Sequence, residues 1–419
     1  MTFGRDDLGL RSETVRRANL SAIVRDLHDR GPLSRSELVG RTGLTRSAIR
    51  GLIGELVLAG LVREGRGESL GTPGRPSPLV CPRPEAAVVL ALDIEVDSLA
   101  AALIGLGGDV LEHVRVHRRR GHSSLGDLVD DLAALAAIVR SRRPPDLPII
   151  AIGVAVVGVV RRADGLVSMA PNLGWIDQPL GERLATILGD DLPIFVANEA
   201  DLGALAEVRR GAAVGADHIL FISGEVGVGG GLIVDGQPFT GVAGYGGEIG
   251  HIPVNPAGAA CRCGSVGCWE TEIGAMSLFR RAGWSPRDAS GDVDALLEAA
   301  ESGSERALKA IEETGRWLGL GLAGLVNVLN PRLVVFGGLF ERIHPFVASI
   351  VDKELDRRAL AGPRRLVRVV AGSLGAEAPL RGAAELAFEP MLADPASWLT
   401  PRDVDVSRSA KLALRRVVA

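Results

Sequence analysis

Apolar residues recur in the first 30 positions at Leu20, Ile23, Val24 and Leu27, the i, i+3, i+4, i+7 spacing of one helix face within residues 15–29. Gly31-Pro32 breaks that run. Ser34-Arg35-Ser36-Glu37 reads as a capping box opening a second helix, which stops at Gly43. Thr45 is placed to cap a third helix, with Ile49, Leu52, Ile53 and Leu56 inward and Arg46, Ser47 and Arg50 outward. Leu61-Val62 begins a strand, a Gly/Pro-rich tip spans 65–78, and Leu79-Val80 returns. Three helices followed by a β-wing predict a winged helix-turn-helix over residues 1–82.

Beyond a linker at 82–85, the apolar runs 86–94 and 99–104 have the pattern of an antiparallel hairpin. A helix over 125–140 leads to a buried strand over 149–156, and further strands follow at 194–196 and 218–223. A helix over 316–329 and a strand over 333–336 complete an alternation that predicts an α/β body. We divide it into a first lobe, 83–200, completed by about 372–390, and a second lobe, 201–371. Residues 391–419 form a C-terminal extension with no assigned role.

Composition adds limits. At 419 residues, 47% of them hydrophobic and 23% charged, the chain has the make-up of a soluble globular protein of two or three domains. Its apolar runs fall well short of the roughly 20 residues that span a bilayer. The first residues carry no apolar signal segment, so the expected location is the cytoplasm, with no membrane partner. The net charge of -4 is uneven: 13 arginines against 9 acids give residues 1–80 a charge of +4, leaving -8 for the rest. A mildly basic head on an acidic body fits a nucleic-acid partner for the head alone.

In a helix-turn-helix the second helix of the pair enters the major groove and its N-terminal side chains meet base edges. That places Thr45, Arg46, Ser47 and Arg50 at the groove, where arginine suits bidentate contact with guanine. Arg75, in the wing tip, is suited to the narrow minor groove, and Ser34 and Arg35 to phosphates. The alternative is a small bundle for protein contacts with merely solvated arginines. The wing, the capped second helix and the positive charge favour operator DNA.

Three of the four cysteines fall within eight residues. Cys261, Cys263 and Cys268, with His251 ten residues upstream, make a C-x-C-x4-C cluster plus one imidazole, the Cys3His set of a closed tetrahedral zinc site. Four protein ligands leave no open position, so the expected Zn2+ is structural.

The same stretch resembles the ROK family of repressors, open reading frames and sugar kinases. The G-E-x-G-H element is Gly247-Glu248-Ile249-Gly250-His251, and C-x-C-G-x-x-G-C-x-E is complete over 261–270. The resemblance extends over about 86–390, including Pro171-Asn172-Leu173-Gly174-Trp175 and the segment 196–207. With the head in front, the whole resembles a ROK transcriptional regulator of the xylose- or N-acetylglucosamine-repressor kind. The resemblance implies a two-lobed, actin-like ATPase (ribonuclease H-like) body with a sugar in its cleft. It also implies Asn172, Asn198, Glu199, Glu248, His251 and Glu270 as sugar-contacting positions, His251 serving both metal and sugar.

Three departures from the family's kinase motifs oppose phosphoryl transfer. The first phosphate loop, D-x-G-G-T, is here Asp93-Ile94-Glu95-Val96-Asp97, where carboxylates replace the glycines that let backbone N–H groups approach phosphate. The second loop, G-T-G-x-G-G-G, begins Glu225-Val226. The catalytic Asp of N-D-A is Glu199, one methylene longer. We therefore expect a sugar-responsive repressor that forms a homodimer or higher homo-oligomer, with no catalytic residue and no ATP requirement. The alternatives are an active sugar kinase carrying a DNA-binding head, and a zinc-sensing regulator.

Overall fold

The computed structural model describes residues 5–65, 78–118, 124–189, 191–284 and 289–399. The head contains α1 (Arg5–Arg30), β1 (Leu33–Ser34), α2 (Arg35–Thr42), α3 (Arg46–Leu58), β2 (Val62–Gly65) and β3 (Leu79–Pro82). Its strands pair in the order β1-β3-β2, so the wing gains a third strand that the apolar pattern did not predict. Ser34 Oγ accepts from the Glu37 N–H (3.1 Å) while the Ser34 N–H donates to Glu37 (2.7 Å), the reciprocal capping box. Gly43 closes α2 in the left-handed region at φ 69°, and the Thr45 hydroxyl caps α3. Leu20, Ile23, Leu38, Ile49, Ile53 and Leu56 are fully buried between the three helices. The wing tip with Arg75 lies outside the described residues.

The first lobe comprises β4 (Val88–Ile94), β5 (Ser98–Gly105), β6 (Val110–His117), α4 (Leu125–Ser141), β7 (Ile149–Val156), the small strands β8 (Val159–Arg161), β9 (Leu166–Ala170) and β10 (Trp175–Gln178), then α5 (Leu180–Leu188), β11 (Ile194–Asn198) and α6 (Glu199–Arg210). The second comprises β12 (Ile219–Gly224), β13 (Val228–Val234), β14 (Gln237–Pro238), α7 (Trp269–Ile273), α8 (Ala275–Ala282), α9 (Ala289–Glu301), α10 (Glu305–Leu329), β15 (Leu333–Gly338), α11 (Leu339–Arg358), α12 (Ala361–Leu366) and β16 (Arg368–Ala371). Finally α13 (Ala378–Ala393) returns to the first lobe.

The two main sheets repeat one plan. In β11-β7-β4-β5-β6 an antiparallel meander, β4-β5-β6, continues into parallel β7 and β11; in β14-β13-β12-β15-β16 the meander β12-β13-β14 continues into parallel β15 and β16. This duplication is the two-lobed actin-like arrangement. Between the sheets lie α6, against β12 and β13, and α13, against β4 and β7. The layers meet closely because glycine stands at the contacts. A Cβ on Gly382 of α13 would fall 1.9 Å from the Leu202 carbonyl of α6, and one on Gly153 of β7 the same distance from the Ala383 carbonyl of α13. No described helix is long and apolar enough to cross a membrane.

The head is docked on the body. α1 packs against α13 and a 3-10 turn, Pro395–Trp398, so residues 391–399 of the C-terminal extension cover its flank. Ser21 Oγ donates to the Leu392 carbonyl (2.7 Å), and Arg25 forms a fork with Glu389 (3.0 and 2.8 Å). At the centre, Glu385 of α13 accepts from Arg210 Nε (2.5 Å) and from His28 Nε2 (3.0 Å), all three being largely or wholly buried. The expected linker is part of this packing: Pro84 opens a 3-10 turn, Pro84–Ala86, with its carbonyl against Gly105.

Burial alone would raise the Glu385 carboxyl, but His28 and Arg210 outweigh it and hold the group at about 2, against 4.5 ordinarily. A carboxyl depressed on folding stabilises above its unfolded value and loses that contribution as pH falls through the folded one. Glu385→Gln therefore costs about 3–5 kcal/mol near neutral pH, because Arg210 is left buried without its counter-charge. It also flattens the loss of stability between pH 4.5 and about 2. Urea denaturation from pH 7 down to about 2 checks both effects.

Candidate functional site

In the head, α3 presents Thr45, Arg46, Ser47 and Arg50 to solvent, and neither arginine makes a hydrogen bond or ion pair among the described residues. Ser34 and Arg35 are placed differently. The Ser34 hydroxyl is engaged in the capping box, and Arg35 forms a bidentate pair with Glu64 of β2 (2.6 and 2.7 Å). Ser34 thus closes the first turn of α2, and Arg35 ties that helix to the wing.

In the second lobe the segment after β14 folds back on itself through close backbone contacts. Cys261 N–H donates to the Ser265 carbonyl (2.8 Å), and Gly264 and Gly267 take φ 94° and 71°. A Cβ on Gly267 would lie 1.7 Å from the Asn255 carbonyl, so no larger residue fits that turn. The ligand atoms of His251, Cys261, Cys263 and Cys268 come within 4.8 Å of one another. The Cys263–Cys268 Sγ separation is 3.7 Å and that from Cys261 Sγ to His251 Nδ1 is also 3.7 Å. Tetrahedral bonds of ~2.3 Å to sulfur and ~2.0 Å to nitrogen require edges of roughly 3.5–3.8 Å. The donor set therefore fits a tetrahedral ion. Burial pushes the Cys261 thiol up to about 12, so loading a metal there releases protons.

His251 connects this cluster to the cleft. Its Nδ1 faces Cys261 and its Nε2 faces Glu248 (3.8 Å). Beside it lies a cavity of about 100 Å³ between the lobes, whose wall includes Asn172, Asn198, Glu199, Glu248, His251 and Glu270, all six sugar-contacting positions expected from the sequence. They do not play equal parts. Asn198 caps α6, its Oδ1 accepting from the Ala200 (2.8 Å) and Asp201 (3.3 Å) N–H groups while its Nδ2 donates to the Gly158 carbonyl (2.9 Å). Glu270 accepts the Val228 N–H (3.0 Å) and so fixes the turn before β13. Asn172 accepts from Arg262, an arginine held between two of the cysteines, and this contact bridges the lobes. Arg262 lines the cavity, yet its place at a variable position within the cysteine motif concealed that.

The Glu199 carboxylate makes no hydrogen bond or ion pair among the described residues. Burial, then the charges of Glu95, Asp93, Glu225 and Asp97, push its carboxyl well above the usual range. Those carboxylates stand at the end of β4 and just beyond it, and in the turn between β12 and β13. Arg115 of β6 is shared among Asp93 (3.2 Å), Glu95 (3.4 Å) and Glu377 (3.4 Å).

The ROK family model matches residues 89–389. The xylose repressor of Bacillus subtilis is 27% identical over 380 residues, covering 90% of this chain and 97% of its own. A glucokinase of Streptomyces coelicolor is 32% identical over 320 residues, covering 72% of this chain and 98% of its own. Among solved structures, a ROK family transcriptional regulator, a homologue of the E. coli Mlc protein, superposes with a TM-score of 0.71 at 24% identity over 92% of this chain and 97% of its own. A ROK family glucokinase from Streptomyces griseus, in complex with glucose and AMPPNP, gives 0.62 at 30% identity over 72% of this chain and 99% of its own. The regulators match head and body, whereas the kinases align over a share that the body alone accounts for. With its duplicated lobes and complete G-E-x-G-H and cysteine motifs, the chain belongs to the ROK family.

Proposed function

We propose that the chain is a sugar-responsive DNA-binding repressor whose kinase-like body binds a sugar in the interlobe cleft without phosphorylating it. The observation that carries this reading is helix α6. Asn198 caps it and Glu199 opens it at the cavity; Arg209 and Arg210 close it against the head. Arg209 pairs with Asp29 of α1 (2.7 Å), and Arg210 Nη1 donates to the carbonyls of His28 (3.2 Å) and Gly107 (2.8 Å). Twelve residues at 1.5 Å each make a rod of about 18 Å between the sugar and the DNA-binding head. Near its far end Glu207 accepts the N–H groups of Ser373 (2.9 Å) and Leu374 (3.0 Å), so any shift of α6 also pulls on the segment leading into α13.

A sugar moves the head only through its differential affinity for two arrangements of these helices, typically about 1–3 kcal/mol of coupling. Arg46 and Arg50 are the residues we assign to operator bases, with Thr45 and Ser47 beside them and Arg75 in the wing. A homodimer would present two heads to a palindromic operator. The Cys3His cluster is assigned to structural Zn2+, which would fix the face of His251 that meets the sugar. Kinase activity is disfavoured because Glu95, Asp97 and Glu225 occupy positions where a nucleotide needs neutral backbone donors.

Gel-shift titration of the operator, across a panel of monosaccharides, tests the regulator. One sugar should change the affinity by roughly 5- to 150-fold. Arg210→Ala should keep that sugar's thermal stabilisation while losing most of the change in DNA affinity. No response to any sugar contradicts the reading, and sugar-dependent ADP formation at about 1–100 per second would establish the kinase instead.

Arg46→Ala and Arg50→Ala should each weaken operator binding by about 1–3 kcal/mol and relax base preference at one position. Anisotropy against operator and random duplexes separates that from a general loss. Cys268→Ser should abolish stoichiometric zinc by elemental analysis and lower the melting temperature. A zinc-sensing regulator would instead switch DNA binding reversibly on chelation, without unfolding.

A further inference from the structure

Across the mouth of the cleft the two lobes touch through one segment of each. In the first lobe it is the ribbon β8–β9 with the turn that carries Asn172; in the second it is residues 239–248, between β14 and His251. Both ends of the second segment are tied to β13. The Phe239 N–H donates to the Leu232 carbonyl (2.8 Å), and a Cβ on Gly247 would lie 2.5 Å from the Gly230 carbonyl. The part between them closes on itself, the Gly246 N–H donating to the Thr240 carbonyl (2.8 Å), and leans across onto the ribbon. There the Arg162 N–H donates to the Ala243 carbonyl (3.2 Å), and the Ser168 and Tyr245 hydroxyls share a hydrogen bond (2.9 Å). The backbones nearly meet, since a Cβ on Gly244 would fall 2.8 Å from the Val160 carbonyl. Arg162 also sends its Nη2 to Asp201 of α6 (3.4 Å), a buried carboxylate.

Three features make this contact a reversible one. Phe239, Val242 and Tyr245 are exposed, so the contact is chiefly polar and little apolar burial locks it. Ala243 is held at φ 61°, in the left-handed region that a residue with a Cβ enters only at a cost. Arg162 Nε is buried without a hydrogen-bond partner among the described residues, a further cost of the seated position. Yet the loop runs straight into Glu248 and His251, which line the cavity, whereas Arg162, Ser168, Ala243 and Tyr245 do not. We propose that residues 240–246 are a clasp between the lobes, with Arg162, Ser168 and Tyr245 as positioning residues that set how firmly the cleft closes over its effector. The inference rests on the sugar-regulator reading and adds the element that governs closure. With the clasp seated, Glu248 and His251 are held against the Asn172 side of the cleft, and a bound sugar leaves only after it lifts. When it lifts, the ribbon and the loop part, and α6 loses its tie through Asp201.

Hydrogen–deuterium exchange of the full chain without ligand tests the clasp itself. Ala243→Pro cannot seat the loop, because the ring fixes φ near about -65°, and Tyr245→Phe removes a single hydrogen bond. In both, exchange should rise on the two facing lips, around Asn172 and around Arg262, as well as in the loop, and more in Ala243→Pro. Calorimetry and stopped-flow fluorescence with D-xylose, D-glucose and N-acetyl-D-glucosamine then read the effector side. For a sugar that binds the unaltered chain, Tyr245→Phe should weaken affinity by about 2- to 10-fold, the range of one hydrogen bond, mostly through faster dissociation. Ser168→Ala should do the same, and the two combined should do no more than either, since both delete one contact. A role in folding alone would lower the melting temperature and leave the dissociation rate in place. Faster exchange confined to 240–246 overturns the clasp, as does a dissociation rate unmoved by Ala243→Pro, and either leaves the sugar-regulator reading intact. Silence from every sugar removes that reading, and the exchange experiment still decides the clasp.

Discussion

One buried carboxylate decides how this molecule is put together. Glu385 lies between Arg210 and His28, and each of the three comes from a different part of the chain: the C-terminal helix, the helix that leaves the cleft, and the first helix of the head. Removing such charges from water is costly, and the cost is offset only when geometry and hydrogen bonding are complete. Here the Gly107 N–H donates to His28 Nδ1 (3.0 Å), Arg210 Nη1 donates to two carbonyls, and Arg210 Nη2 lies 2.8 Å from His28 Nε2, so the cluster works as one joint. A winged head carried on a loose tether would need none of this.

The joint explains the other features of the fold. Because α6 and α13 meet through Gly382 with almost no space between their backbones, they move as a pair and not as independent rods. The same pair separates the two sheets, so a change in lobe angle acts first on these helices. At the opposite end of α6, Asn198 gives all its hydrogen bonds to the cap and to Gly158, while Glu199 faces the cavity. Support of the helix and exposure to the cavity are thus split between adjacent residues. The Cys3His cluster plays a corresponding part on the other wall, holding both His251 and the loop of Arg262.

Much of this was legible in the sequence, for physical reasons that can be named. Helix faces in the head follow from a local period, and Leu20, Ile23, Ile49 and Ile53 lie buried as that period requires. Metal spacing is also local, and Cys261, Cys263, Cys268 and His251 meet as expected. The docking of the head was not legible, since Arg25 and Glu389 are 364 residues apart and neither belongs to a motif. Pro82–Glu85 reads as a linker only while its packing against Gly105 is unknown. The start of α1 escaped notice because the residues before position 15 carry no apolar stripe. The motif marks Asn198 as a sugar-contacting position, and its capping role appears only once the helix it opens is in place.

The coupling along α6 has a direct readout in hydrogen–deuterium exchange of the full chain, with and without a sugar that stabilises it. Sugar binding should change protection in two separated regions at once: the cleft around Asn198 and Glu248, and the joint formed by the end of α6, the end of α1 and the middle of α13. Protection confined to the cleft, with amides around His28, Arg210 and Glu385 exchanging as before, would contradict a head controlled through this helix.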